Sequence, residues 1–208
     1  MTGSMPRSLL RLVRYTAIIG IFVIAGFLAG QYFWSPQDAP PATPRPASST
    51  SMPDVLPDIQ LADLQGNIHS LREWSEGPLL INFWATWCAP CLREMPLLET
   101  VWLARQETGL AIVGVAIDRT EAVSPYVEKT GVTYPILTGQ SDAMKAAEAF
   151  GPEFAGLPYS VLVASGGRVL GVYSGELHPE HLNRVLDLLD EVSAGRMSVA
   201  DGRTQLAD

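Results

Sequence analysis

From residue 58 onward, the pattern of apolar and polar positions predicts strands that alternate with helices. Leu79–Ala85 and Leu110–Ile117 are continuous apolar runs, which is typical of strands buried on both faces of a sheet. Pro90–Glu107 instead spaces its apolar residues so that they share one helical face. The alternation predicts an α/β domain with a central sheet.

Further patterns predict the remaining elements of this domain. Gly166-Gly167, between two apolar runs, is a strong signal for a β-hairpin. The remaining elements are a hairpin over Ile59–Leu71 turning at Gln65–Asn67, a helix over Glu121–Thr130, a strand near Pro135–Leu137, a helix over Asp142–Phe150, strands over Ser160–Ala164 and Arg168–Tyr173, and a helix over His178–Val192. Strand–helix alternation followed by a hairpin predicts a mixed sheet with helices on both faces.

The first 34 residues carry a separate signal. Residues 15–34 contain no charge, and a helix of that length spans about 30 Å, the thickness of a membrane's hydrocarbon core. Because Arg7, Arg11 and Arg14 precede it, we expect a cytoplasmic N-terminus over 1–14 and a single transmembrane anchor over 15–34. A cleaved signal peptide is the alternative, but the segment lacks a pair of small residues at the spacing that cleavage requires.

Residues 35–57 are rich in proline, alanine, serine and threonine. This composition cannot bury apolar area and favours extended geometry, so it predicts a linker over 35–57. We expect a folded domain over 58–194 and a C-terminal tail over 195–208. The predicted topology anchors the chain in the inner (cytoplasmic) membrane and puts its domain in the periplasm or another extracytoplasmic space.

The charge of the chain changes along its length. Residues 1–57 hold four arginines and two aspartates, whereas residues 58–208 hold ten basic and twenty acidic residues. A globular part this acidic argues against nucleic-acid binding, which needs cations opposite phosphate.

The only two cysteines lie in the sequence Cys88-Ala89-Pro90-Cys91. A structural disulfide would close too short a loop to stabilise the fold much, and a zinc site would need ligands that the sequence does not offer. As a redox pair they lie where a buried strand ends and a helix begins, so Cys88 would occupy a helix N-terminus that stabilises its thiolate. Cys91, one turn further, would resolve a mixed disulfide. Pro90 fits early in a helix. We expect neither a metal nor a cofactor at this site.

The sequence around this pair is similar to that of a known family. Asn82–Cys91 resembles the active-site stretch of thioredoxins, and Leu92–Pro96 resembles the TlpA/ResA branch, the membrane-tethered thioredoxin-like proteins of bacteria. The resemblance covers most of residues 58–190. It implies a thioredoxin-like fold with a central mixed sheet, an N-terminal hairpin, an N-terminal anchor and a redox disulfide between Cys88 and Cys91.

The resemblance also implies roles for further residues. Thioredoxins carry a buried aspartate at the position of Asn82, whereas the TlpA/ResA branch places its acid at the position of Glu94. Pro158, before the strand at Ser160, matches the cis-proline that faces the disulfide in these domains. Leu157 stands where a small residue is common, which would alter substrate preference. Trp87, immediately before the nucleophile, is expected to face the substrate together with Pro90, Leu157 and Pro158.

These observations predict a thiol–disulfide oxidoreductase that acts as a reductant. Ala89 and Pro90 contribute no charge that would stabilise the Cys88 thiolate, and a buried Glu94 would disfavour it. The resemblance implies protein disulfides as substrates, among them apocytochrome c or copper-site proteins, and a membrane-embedded thiol transporter as electron donor.

Three alternatives remain open from the sequence. An oxidase or isomerase would use the same site. A peroxiredoxin-like peroxidase shares the fold, but Thr86 lies two residues before Cys88 rather than three. A tethered metal chaperone would bind through the cysteines without redox chemistry.

Overall fold

A computed structural model describes residues 51–207. Its strands are β1 (Gln60–Asp63), β2 (Ile68–Ser70), β3 (Leu79–Trp84), β4 (Ala111–Ala116), β5 (Ile136–Thr138), β6 (Tyr159–Ala164) and β7 (Arg168–Ser174). Its α-helices are α1 (Ala89–Arg105), α2 (Thr120–Thr130), α3 (Ser141–Glu148), α4 (Pro179–Ser193) and α5 (Val199–Ala207), and short 3-10 helices cover Leu71–Trp74 and Gln106–Thr108.

The predicted anchor over 15–34 lies outside the described residues. Within residues 51–207, no helix combines the length and the hydropathy that crossing a membrane requires.

The strands form one mixed sheet in the described part of the chain, in the order β2-β1-β5-β4-β3-β6-β7. The three strands β3, β4 and β5 run parallel, while β6, β7, β1 and β2 pair antiparallel with their neighbours. Gly166 and Gly167, with φ of 78° and 76°, make the turn between β6 and β7, because a tight hairpin needs positive φ at both positions. The predicted mixed sheet is therefore confirmed.

Helices cover both faces of this sheet, as expected. The helices α1, α2 and α4 pack their apolar residues on one face, and α3 packs on the other. Every residue of β3 is buried, which explains why its sequence is an uninterrupted apolar run apart from Asn82. The carboxyl ends of β3 and β4 meet at one edge of the sheet, and the cysteines follow at that edge.

The folded domain extends beyond the predicted boundaries of 58 and 194. Leu56, assigned to the linker by its composition, is fully buried, and its amide donates to the Gly167 carbonyl. The predicted tail contains α5, in which Arg203 forms an ion pair with Asp54. Composition did not reveal these contacts because the segments are short and each contributes few apolar side chains.

Candidate active site

The two cysteines lie where the sequence predicted, between a buried strand and a helix. β3 ends at Trp84, α1 begins at Ala89, and Cys88 occupies the turn directly before the helix. Cys88 and Cys91 form a disulfide, with their Cα atoms 5.3 Å apart. The Cys91 amide points back and donates a hydrogen bond of 3.3 Å to Cys88 Sγ, so a backbone dipole of the first helical turn faces this sulfur.

The surroundings of the pair are asymmetric. Cys88 is 4% exposed and Cys91 is completely buried. Trp87, beside Cys88, is 69% exposed, which is unusual for so large an apolar side chain, and Pro90 in the first turn of α1 is half-buried. Cys88 is therefore the more accessible of the two cysteines and lies next to the exposed Trp87, whereas Cys91 is shielded from solvent.

Glu94 is buried, although a glutamate on a helix is usually solvated. It lies one turn beyond Cys91 on α1 and is 1% exposed. Its Oε1 accepts a hydrogen bond of 2.8 Å from Asn82 Nδ2, and its Oε2 accepts one of 2.6 Å from the Leu177 amide. A strand side chain and a loop amide therefore fix the carboxyl group from two sides.

Burial controls the proton affinity of this carboxyl group. Loss of hydration raises the pKa of Glu94 to about 7, since the bonds from Leu177 and Asn82 offset only part of the cost of burying the charge. The nearby charge of Glu176 raises the pKa further. Glu94 can consequently exchange a proton near neutral pH, as a general acid or base must.

Asn82 can serve both protonation states of Glu94. Its Nδ2 donates to Glu94 and, at 3.1 Å, to Ser160 Oγ, whereas its Oδ1 is buried without a partner among residues 51–207. An amide carries two donors and an acceptor, so a flipped Asn82 offers Oδ1 to the hydroxyl of a protonated Glu94. The aspartate found here in thioredoxins would instead repel an ionised Glu94.

Leu157 and Pro158 lie beside the cysteine turn. The register pairs Phe83 in β3 with Tyr159 in β6, so Pro158 comes next to the carboxyl end of β3. The Leu157–Pro158 peptide bond is cis, as the resemblance implies. Pro158 donates no amide hydrogen and its carbonyl accepts from the Gly175 amide at 2.9 Å, whereas the half-buried Leu157 has no backbone hydrogen bond within residues 51–207.

Sequence reasoning missed three partners in this region. Asp118 accepts hydrogen bonds from Thr86 in the cysteine turn, a contact that the sequence did not predict. Ser160 and the Leu177 amide contact the Asn82–Glu94 pair. Asp118 could have been found, because it follows the strand parallel to β3 and such strand ends meet at one edge. The amide of Leu177 has no sequence signal, since almost every residue carries one.

Comparison with known proteins agrees with this geometry. The profile described as the AhpC/TSA family matches residues 52–171, which is more than half of the chain. The chain belongs to the AhpC/TSA family. This finding and the relatives described next confirm the thioredoxin-like assignment made from the motif around Cys88.

Several similar chains are thiol–disulfide oxidoreductases or isomerases by name. The chain is 30% identical to thiol-disulfide oxidoreductase ResA of Geobacillus thermodenitrificans (strain NG80-2) over 67% of its own length and 79% of the relative's. It is 29% identical to ResA of Geobacillus kaustophilus (strain HTA426) over 85% of its length and 95% of the relative's. A secreted thiol-disulfide isomerase from Corynebacterium glutamicum superposes with a TM-score of 0.58 at 26% identity, covering 65% of this chain and 86% of that one.

These similarities and the Cys88–Cys91 disulfide identify the chemistry of this family member. The chain is an enzyme of the thiol–disulfide oxidoreductase type, similar to ResA. The predicted enzyme class is confirmed. The individual roles of Trp87, Pro90, Glu94, Leu157 and Pro158 stay predictions.

Proposed function

We propose that this protein reduces disulfides of exported proteins by dithiol–disulfide exchange. The observation that carries the proposal is the buried Glu94, one turn from Cys91, with a pKa of about 7. A carboxylate beside the cysteines disfavours their thiolates by like-charge repulsion. Because the reduced form is then not stabilised as a thiolate, the Cys88–Cys91 disulfide is the more stable form of the pair. The protein then gives electrons readily, which defines a reductant.

The proposed reaction exchanges one disulfide for another. The Cys88 thiolate attacks one sulfur of the target disulfide, and the other target sulfur leaves as a thiolate and takes a proton. Cys91 loses its proton and attacks Cys88 Sγ, which releases the second target thiolate and closes the Cys88–Cys91 disulfide. The target gains two electrons and two protons. A dithiol of a membrane-embedded thiol transporter reverses the same steps and restores the protein.

Glu94 would handle the proton of Cys91 in this cycle. The carboxylate accepts the proton when Cys91 attacks and returns it when the pair is reduced again. A pKa near 7 suits both directions at neutral pH. Asn82 stabilises the ionised form through Nδ2 and, after a flip of the amide, the protonated form through Oδ1.

The substrate chain would bind along the segment before β6. The backbone of Leu157 makes no hydrogen bond within the described part of the chain, so an extended target can pair with it as an additional strand would. Trp87 and Pro90 would pack against the target on the other side of Cys88, because Trp87 offers a large exposed apolar surface. Apocytochrome c and copper-site proteins are the target classes that the family resemblance suggests.

The proposed location is the outer face of the inner membrane, with the uncharged segment 15–34 as an uncleaved anchor. The match to ResA of Geobacillus kaustophilus covers 85% of the chain and hence extends into residues 1–50. The Corynebacterium glutamicum protein is described as secreted. Protease treatment of spheroplasts should digest the domain, and recovery of full-length protein in the soluble periplasmic fraction would contradict the anchor.

The peroxidase alternative finds no support at Thr86. The Thr86 hydroxyl donates its hydrogen to Asp118 Oδ2 at 2.5 Å and is not directed to Cys88 as a donor. The isomerase alternative draws on the description of the Corynebacterium glutamicum protein. An isomerase and a reductase share the site and both attack from the reduced thiol form, so they differ in whether the target is left with fewer disulfides or with rearranged ones.

Mechanism-based trapping tests the proposal in cells. Cys91→Ser should accumulate mixed disulfides with target proteins, since the nucleophile remains and the resolving thiol is lost. Cys88→Ser is the matched control and should trap none. Partners that are exported proteins with their own cysteine pairs support the proposed substrate class. Trapping by Cys88→Ser alone, or no trapping by either variant, would contradict the proposed mechanism.

A further inference from the structure

Asp118 is hydrogen-bonded to the turn that carries Cys88, the proposed nucleophile. Its Oδ2 accepts two hydrogen bonds from Thr86, one from the hydroxyl at 2.5 Å and one from the amide at 3.2 Å. Its Oδ1 accepts a third, from the Arg119 amide at 2.8 Å. Thr86 is half-buried and lies two residues before Cys88, in the segment between β3 and α1. One carboxylate thus fixes both the backbone and the side chain of the nucleophile's turn.

The parallel pairing of β3 and β4 brings Asp118 to this place. Trp84 and Ala116, the last residues of the two strands, are register partners. The Ile117 amide continues the ladder by donating to the Trp84 carbonyl at 2.8 Å. Asp118 follows directly, so its position relative to the cysteine turn is set by the sheet rather than by a free loop.

Asp118 is ionised in the folded protein. Partial burial raises its pKa, but the hydrogen bonds from Thr86 and from the Arg119 amide, with the charge of Arg119, outweigh burial and hold the pKa below its ordinary value. A negative charge therefore lies at the N-terminal end of α1, where the helix dipole is positive. It opposes the stabilisation that the helix gives to a thiolate at Cys88.

We propose that Asp118 is a positioning residue for the redox reaction, which anchors the turn of Cys88 through Thr86 and whose negative charge disfavours the Cys88 thiolate. The inference deepens the proposed function and rests on exchange at the same cysteines. Asp118 then acts on the turn of the nucleophile, and Glu94 acts one helical turn beyond the resolving cysteine. Other charges near this site are Arg119 beside Asp118 and the Arg93–Glu176 ion pair beyond Glu94.

Alkylation kinetics of the reduced, detergent-solubilised 208-residue chain test the charge. Asp118→Asn keeps an acceptor for Thr86 and removes the charge, while Glu121→Gln removes an exposed charge from the next helix and serves as the matched control. At pH 6 we expect a thiolate fraction at Cys88 about tenfold higher in Asp118→Asn. The alkylation rate should rise only about threefold, since a thiolate of lower pKa is a weaker nucleophile. Equal rates in both variants would refute the effect of the charge.

A second pair of variants tests the anchor and does not depend on Asp118→Asn folding. Thr86→Val has nearly the shape of threonine without its hydroxyl, and Thr86→Ser keeps the hydroxyl. We expect Thr86→Val to lower the rate of exchange with a model disulfide about tenfold and Thr86→Ser to stay within about twofold of wild type. Equal rates would refute the anchor. Absence of exchange in the wild-type protein would contradict the proposed function, while the alkylation comparison would still report on Asp118.

Discussion

Asn82 Nδ2 donates a hydrogen bond of 2.8 Å to Glu94 Oε1, and both side chains are buried. Thioredoxins carry the acid on the strand, whereas this chain carries it on the helix as Glu94. Asn82, at the strand position, is the hydrogen-bond partner of Glu94. An amide is suited to that role because it can donate to a carboxylate and accept from a carboxylic acid. This pair leads to three predictions.

The first prediction concerns activity. Glu94→Gln keeps the shape of the side chain and removes the exchangeable proton, so disulfide exchange at pH 7 should fall by about 100-fold, the low end of general acid–base effects. The thiol titration, followed by alkylation, should move to lower pH because a negative charge is lost. Glu128→Gln, at an exposed position of α2, is the control. An alkylation profile identical to wild type would reject the role of Glu94.

The second prediction concerns stability and pH. The pKa of Glu94 rises from 4.5 to about 7 on folding, so the folded state holds the proton more tightly. The associated stability is fully present below pH 4.5 and is lost as the pH rises to 7, by about 3 kcal/mol. Urea unfolding at pH 4.5 and pH 8 should show this loss in wild type and not in Glu94→Gln. Parallel pH dependence in both proteins would contradict the assignment.

The third prediction concerns Asn82. Asn82→Leu removes the donor to Oε1 and leaves the carboxylate half-satisfied, so the pKa of Glu94 should rise further and stability at pH 8 should fall by about 1–3 kcal/mol. Ser160→Ala removes only the second hydrogen-bond partner of Asn82, so it should lower the stability at pH 8 by less than Asn82→Leu does. The pH dependence of unfolding reports the pKa change. If the pH dependence of unfolding is the same in Asn82→Leu as in wild type, Asn82 does not influence the pKa of Glu94.

The sequence was most informative where the chemistry is local. Cys88 and Cys91 are close along the chain, so their spacing alone predicts a redox pair, and the apolar runs of β3 and β4 predict the strands that carry the site. Glu94 needed a family resemblance, because a helix residue in isolation gives no sign of burial. Asp118 is 32 residues from Thr86, and the contact exists only because β3 and β4 pair in parallel.

Two other features were beyond sequence reasoning for different reasons. The Leu177 amide binds Glu94 from a loop, and any residue at that position would supply the same group. The helix α5 contains Gly202, a residue of low helix propensity. The helix forms because Gly202 packs closely against Leu170 and Val192, and such tertiary packing does not show in the helix propensity of the sequence.

The reduction potential tests most directly whether Cys88 and Cys91 form a reducing pair. Equilibration of the 208-residue chain with dithiothreitol or glutathione buffers, with the thiol state read by acid-quenched alkylation, gives the value. We predict a potential nearer the about −270 mV of thioredoxin than the about −120 mV of DsbA, and a largely reduced pair in living cells. A potential near the DsbA value with a fully oxidised cellular pool would contradict the reductase and favour an oxidase.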